Sequence, residues 1–150
     1  MKKIYLCGAC EQVSFEESQK WRVESEEWFE KNAEGFICIN PNDYFEYDKS
    51  YHKTDSEVFR FLLRKVRESD VVLVNLDSIR QSVGSIVEIH EAFVNNIPVI
   101  GFYNRDKKLK NKDKKSLFHS WIYEMVDRIE TGSHAHEWAM NYIKDYYGYC

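Results

Sequence analysis

Four apolar runs set the limits on this chain: Ile4-Tyr5-Leu6-Cys7, Phe36-Ile37-Cys38-Ile39, Val71-Val72-Leu73-Val74-Asn75-Leu76 and Pro98-Val99-Ile100-Gly101-Phe102-Tyr103. Each is short, rich in β-branched or aromatic residues, and lacks polar alternation. Strict alternation marks a strand with one wet face. A continuous apolar run marks a strand buried on both faces, as in a parallel sheet covered by helices.

Helical periodicity fills the intervals. Ser14 to Glu17 fits a capping box opening a helix that carries Trp21, Trp28 and Phe29. Val58, Phe59, Leu62, Leu63 and Val66 form one apolar helical face. A third helix is expected from near Ser85 to about Asn95. A fourth carries Phe118, Trp121, Ile122, Met125 and Val126, and a fifth carries Ala135, Trp138, Ala139, Tyr142, Ile143 and Tyr146. The Arg128-Ile129 region reads as a short edge strand between the last two. This alternation predicts a doubly wound (flavodoxin- or Rossmann-like) α/β fold. Its sheet is mostly parallel, has four to five strands and carries helices on both faces. Residues 1–150 form one domain, an ordinary size for such a unit.

Composition narrows the function classes. The formal net charge is -4, and a dedicated nucleic-acid binder would carry a basic excess. No apolar run approaches the length of a membrane span. The opening Met1 to Gly8 holds too short an apolar stretch for a secretory signal. A cytoplasmic protein is therefore expected, with Cys7, Cys10, Cys38 and Cys150 reduced.

Ligands of doubly wound sheets bind beyond the carboxyl ends of the strands, where strand order reverses. After the first strand comes Cys7-Gly8-Ala9-Cys10, whose glycine permits a tight turn and close approach of a ligand. The Cys-x-x-Cys spacing suits a redox pair or half a zinc site. With no second such pair, and with His134 and His136 on a polar stretch, small buried residues are the simpler reading. After the second strand, Asn40 to Tyr47 with Tyr51 and His52 supply rings that either stack on a nucleobase or tuck back onto the domain. After the third, Ser82, Gly84 and Ser85 are small enough to admit a phosphate or sugar at a helix N-terminus. Glu88 falls on the first turn of that helix. Ser85-x-x-Glu88 also fits a capping box, in which the glutamate only satisfies a backbone N–H. After the fourth strand, Arg105 to Lys115 holds seven basic and two acidic residues, either a solvated loop or a collector of anionic substrate.

Taken together, these segments resemble the nucleoside 2-deoxyribosyltransferase superfamily, which includes deoxyribosyltransferases and 2'-deoxynucleoside 5'-monophosphate N-glycosidases. The resemblance rests on Lys3-Ile4-Tyr5-Leu6-Cys7-Gly8, on Ser69-Asp70-Val71-Val72-Leu73-Val74-Asn75-Leu76-Asp77, on Ser82-x-Gly84-Ser85-x-x-Glu88-Ile89-x-x-Ala92 and on Ile97-Pro98-Val99-Ile100-Gly101. The segment His119 to Arg128 adds to it. The resemblance implies that Glu88 attacks the anomeric carbon of a nucleoside or nucleotide, which favours the nucleophile over the cap. It further implies that Tyr5 orients Glu88 and that Gly8 and Ala9 approach the sugar. Ser82 would bind a 5'-phosphate beside Gly84 and Ser85, and Ser120, near His119, would enter a neighbouring subunit's site. No cofactor or metal is implied. The partners implied are a small-molecule nucleoside or nucleotide, no nucleic acid polymer and no membrane, and further copies of the chain in a homodimer or higher oligomer. Tyr146, Tyr147 and Tyr149 would suit that interface or equally pack within the chain.

One position departs from the superfamily. An aspartate is usual on the second helix where this chain has Leu62, which here reads as core. Asp43 and Asp77 are the acids expected to substitute. Two other classes compete with the enzyme: a non-catalytic nucleotide-binding or sensing module on the same fold, and a redox protein built on Cys7 and Cys10.

Overall fold

The order of the strands decides where a ligand can sit. A computed structural model describes residues 1–44 and 53–148. Its elements are β1 (Lys2–Cys7), α1 (Phe15–Asn32), β2 (Phe36–Ile39), α2 (Asp55–Arg67), β3 (Val71–Asn75), α3 (Val83–Val94), β4 (Val99–Asn104), α4 (Asn111–Phe118), α5 (Ser120–Met125), β5 (Arg128–Gly132) and α6 (Ala135–Tyr147). A 3₁₀ turn, Pro41–Tyr44, follows β2, and another, Ile79–Gln81, follows β3. The five strands form one parallel sheet in the order β2-β1-β3-β4-β5. The predicted edge strand exists, and the order reverses between β1 and β3.

Period-two side-chain direction splits β1 between two cores. Ile4 and Leu6 join Trp21 and Phe29 of α1 and Ala139, Met140 and Ile143 of α6 on one face. Tyr5 and Cys7 point to the other face, among Val66 of α2, Ile89 and Ala92 of α3, Phe118 and Ile122. Helices therefore cover both faces, and the strands' continuous apolar runs are explained.

Local chemistry sets the helix ends. Ser14 accepts from the Glu17 backbone N–H at 3.2 Å and caps α1. Thr54 and Glu57 form a reciprocal capping box on α2, a pattern not anticipated from the sequence. Three expectations are corrected. The expected fourth helix is two, α4 and α5, broken at His119, whose φ of 82° no helix accommodates and whose ring accepts from Trp121 N–H. The third helix begins at Val83, not near Ser85, which puts Glu88 on its second turn. Finally, Leu62 is not core, because the stripe it shares with Phe59 faces a cleft and Phe59 is 50% exposed.

Among the described residues, no helix is long and apolar enough to cross a membrane.

Candidate active site

A cleft of about 650 Å³ opens where the strand order reverses, at the carboxyl ends of β1 and β3. Its walls come from five segments. The β1–α1 turn gives Gly8, Cys10, Glu11 and Gln12; α1 gives Phe15 and Arg22. The turn after β2 gives Pro41 and Asn42. The start of α2 gives Asp55, Val58, Phe59 and Leu62, and the start of α3 gives Ser82 to Ser85 and Glu88.

Glu88 is 9% exposed and touches the cleft from the second turn of α3. Its carboxylate accepts from the Tyr5 hydroxyl on one oxygen, and from the Cys7 thiol at 3.7 Å on the other. Both donors point from the same face of β1, two residues apart. These bonds cross from strand to helix, so Glu88 is not spent on its own helix's amides. The capping box read at Ser85 is absent for the same reason: Ser85 lies inside α3, and its hydroxyl accepts from Ser82 at 2.7 Å. Burial pushes the Glu88 carboxyl up to about 7, against the opposing effects of Tyr5, Arg22 and Cys7. Burial and the neighbouring carboxylate hold Tyr5 well above its usual value, and they raise Cys7 likewise. Both groups therefore stay protonated as donors near neutral pH. Tyr5 is fully buried and does not line the cleft, so it meets Glu88 from behind.

Gly8 lines the cleft, but its lack of a side chain serves packing. A Cβ there would stand 2.7 Å from Cζ2 of Trp21. A Cβ at Gly84 would meet nothing within 4 Å, so the space above that helix turn is open.

The other expected site residues scatter. Ser82, Gly84 and Ser85 border the cleft beside Glu88. Ala9 is buried and lies outside the lining. Asp43 is exposed on the turn after β2, next to the lining residue Asn42. Asp77 pairs with Arg105 at 3.1 Å, also away from the lining. Ser120 borders a separate shallow groove with Arg80, Asn111, Lys112, Lys115 and His119. Of the basic segment, Lys112 and Lys115 line this groove, and none of its residues lines the cleft. Phe45, Glu46, Tyr47, Tyr51, His52 and Tyr149 lie outside the described residues.

Of the lining groups missed from the sequence, two bear most on the chemistry. Asp55 precedes Leu62 by seven positions on α2. Seven residues are two helical turns, so both side chains lie on one stripe about 10 Å apart. With Glu88 and Glu11, Asp55 makes up the carboxylates of the lining among the described residues. Arg22 is the second. It is 1% exposed. The legible signal is the stripe Ser18-Arg22-Ser25-Phe29, in which serines flank the arginine on a face that is buried throughout.

The fold has close parallels among solved structures. A conserved protein from Enterococcus faecalis V583 superposes with a TM-score of 0.70 over 97% of this chain and 98% of its own, at 18% identity. A 2-deoxyribosyltransferase from Bacillus psychrosaccharolyticus superposes with a TM-score of 0.62 over 96% of this chain and 91% of its own, at 14% identity. The fold is that of a 2-deoxyribosyltransferase. No protein-family model and no curated protein matches the chain. At these identities the likeness establishes architecture, and the chemistry has to be argued from the cleft.

Proposed function

We propose that the protein cleaves or transfers the N-glycosidic bond of a nucleoside or nucleoside monophosphate, with Glu88 as nucleophile. One observation carries this reading: a buried carboxylate borders the cleft at the sheet's switch point, oriented by Tyr5 and Cys7 and not by its own helix. The fold shared with a 2-deoxyribosyltransferase, described as a biocatalyst for nucleoside synthesis, supports it.

In this reading Glu88 attacks the anomeric carbon as the base departs. The carboxylate stabilises the oxocarbenium character of the sugar and traps it as a glycosyl ester. A second base then accepts the sugar in transfer, or water does so in hydrolysis. Tyr5 and Cys7 fix the attacking oxygens. The apolar stripe Val58, Phe59 and Leu62 gives a flat ring a surface, and Asp55 is the acid of α2 that lines the cleft with Leu62. Ser82, Gly84 and Ser85 border the place for the sugar's 5' side. A homo-oligomer belongs to the same reading: Phe93 on α3 and Trp121 on α5 present exposed apolar side chains, Trp121 at 76% exposure. Sedimentation at several concentrations checks this, and a monomer throughout removes it.

The test is incubation with a panel of nucleosides and their 5'-monophosphates, alone and with a second free base, followed by chromatography for released or exchanged base. Glu88→Gln, which keeps the side chain's shape, is expected to abolish base release. Turnover surviving that change at a near-native rate rejects Glu88 as nucleophile. Tight binding of a nucleotide without any base release favours the alternative, a non-catalytic sensing module, which Leu62 in the cleft wall supports.

A further inference from the structure

Among the described residues that line the cleft, Arg22 is the single cation, in a lining that also holds the carboxylates of Glu11, Asp55 and Glu88. It comes from α1, on the opposite side of the sheet from α3, and reaches the cleft around the end of β1. Its guanidinium is committed almost entirely to backbone. Nε donates to Leu6 O at 3.2 Å and Nη2 to Gly8 O at 2.9 Å; Nη1 donates to both the carbonyl and the hydroxyl of Ser18 at 2.7 Å. Four of its five N–H donors are thereby used, and none meets a carboxylate. A buried cation without an ion-pair partner carries a desolvation cost, which these acceptors and the Trp21 ring, 4.6 Å from Cζ, offset in part.

Leu6 and Gly8 flank Cys7, and Tyr5 lies just before them. The residues that Arg22 clamps are therefore the neighbours of the two donors that hold Glu88. Ser18 extends the clamp: its hydroxyl also accepts from Asn42 Nδ2 at 3.1 Å and contacts Cys10 Sγ at 3.6 Å, both in the cleft wall.

We propose that Arg22 is the positioning residue of this cleft: it clamps the end of β1 so that Tyr5 and Cys7 meet Glu88, and it supplies a positive field that favours the charged form of Glu88 against the cost of its burial. This rests on the nucleophile reading for its meaning in catalysis, but its physical content does not. The groups facing Glu88 are Tyr5 and Cys7 from β1 and Arg22 from α1, with Asp55 of α2, Glu11 and Cys10 elsewhere in the lining. Of these, Arg22 alone carries positive charge. Its effect on Glu88 opposes that of burial, in keeping with this role.

The test reads the Glu88 carboxyl directly. Protein labelled with ¹³C at glutamate side-chain carboxyls is titrated by NMR, and the Glu88 signal is identified by its loss in Glu88→Gln. In Arg22→Met the titration midpoint is expected to rise by about one pH unit, a tenfold change in proton affinity. In Arg22→Lys, which keeps a cation but cannot span the same acceptors, it is expected to stay within a few tenths, while kcat for base release falls about tenfold. A midpoint in Arg22→Met that matches the native protein overturns the proposal. If Arg22→Met does not fold, Arg22→Lys decides: native kcat and KM overturn it, and a lowered kcat with a native midpoint supports it. A midpoint that moves in a protein releasing no base from any substrate rejects the glycosidic reading and leaves the electrostatic role of Arg22 standing.

Discussion

Glu88 shows how burial makes one residue answerable to its neighbours. With its carboxyl pushed up to about 7, it is half protonated near neutral pH, and only the carboxylate attacks carbon. The rate of base release should rise with pH through about 7 and level off above it. A profile of kcat between pH 5 and 9 measures this, and a flat profile contradicts a titrating nucleophile. Tyr5→Phe removes the hydroxyl donor that favours the charged form. Its acid limb is expected to move to higher pH and its kcat to fall, and the bond lost to a buried carboxyl is expected to cost about 1–3 kcal/mol of stability although the ring stays in place.

At the scale of elements, α2 owes its start to Thr54 and Glu57, and that start carries Asp55, Val58, Phe59 and Leu62 along the cleft. Thr54→Ala removes the hydroxyl that accepts from Glu57 N–H at 3.2 Å and is expected to cost about 1 kcal/mol. Because the fraying end is the cleft wall, KM for the substrate should rise more than kcat falls. Denaturant midpoints and steady-state kinetics separate the two effects. At the β1–α1 turn the constraint is steric. Gly8→Ala places a methyl against Trp21, and overpacking of this kind costs about 1–3 kcal/mol. In a Trp21→Leu background the same Gly8→Ala change should cost less, which thermal melts of the two single variants and the double variant would reveal.

Across the whole molecule, two buried titratable groups on opposite faces of the sheet work against each other. His136 of α6 docks on α1, with Nε2 2.8 Å from Ser25 Oγ and its ring stacked on Phe102 at 4.3 Å. Ser25 gives its only proton to Trp21 O, so His136 is the donor in that pair and its Nε2 carries the hydrogen. Burial lowers its pKa to about 4 from 6.5. The unfolded chain therefore takes up a proton that the fold refuses, and stability falls as pH drops from about 6.5 towards 4. Glu88 has the opposite sign. Its folded pKa lies above the unfolded value of 4.5, so its contribution is present below 4.5 and is lost as pH rises towards 7. Between pH 7 and 5 each effect amounts to about 2 kcal/mol, and the two nearly offset. Glu88→Gln should unmask the histidine: relative to the native protein, the variant should lose about 2 kcal/mol between pH 7 and pH 5 in urea unfolding. Parallel pH dependences in the two proteins would show that Glu88 titrates as an ordinary carboxyl.

The sequence by itself determined the frame. Unbroken apolar runs at Ile4, Val71 and Val99 dictate strands buried on both faces, such strands dictate a parallel sheet, and parallel strands require helical crossovers. The frame in turn dictates that Gly8 and Glu88 meet at a carboxyl edge, so the cleft's general place was legible before any coordinates. The tertiary structure alone decided which side chains face that cleft. Leu62 sits on a stripe that reads as core, yet the wall opposite it is open, and no periodicity records what an apolar face packs against. Arg22 belongs to a helix on the far side of the sheet, and its reach to Leu6 and Gly8 depends on how α1 crosses β1. Asp55 and Leu62 share a stripe by helical geometry, but only the docking of α2 beside the switch point turned that stripe towards Glu88. Periodicity is a property of the local chain; the partner of a face is set by packing between elements distant in sequence, where no short-range signal reaches.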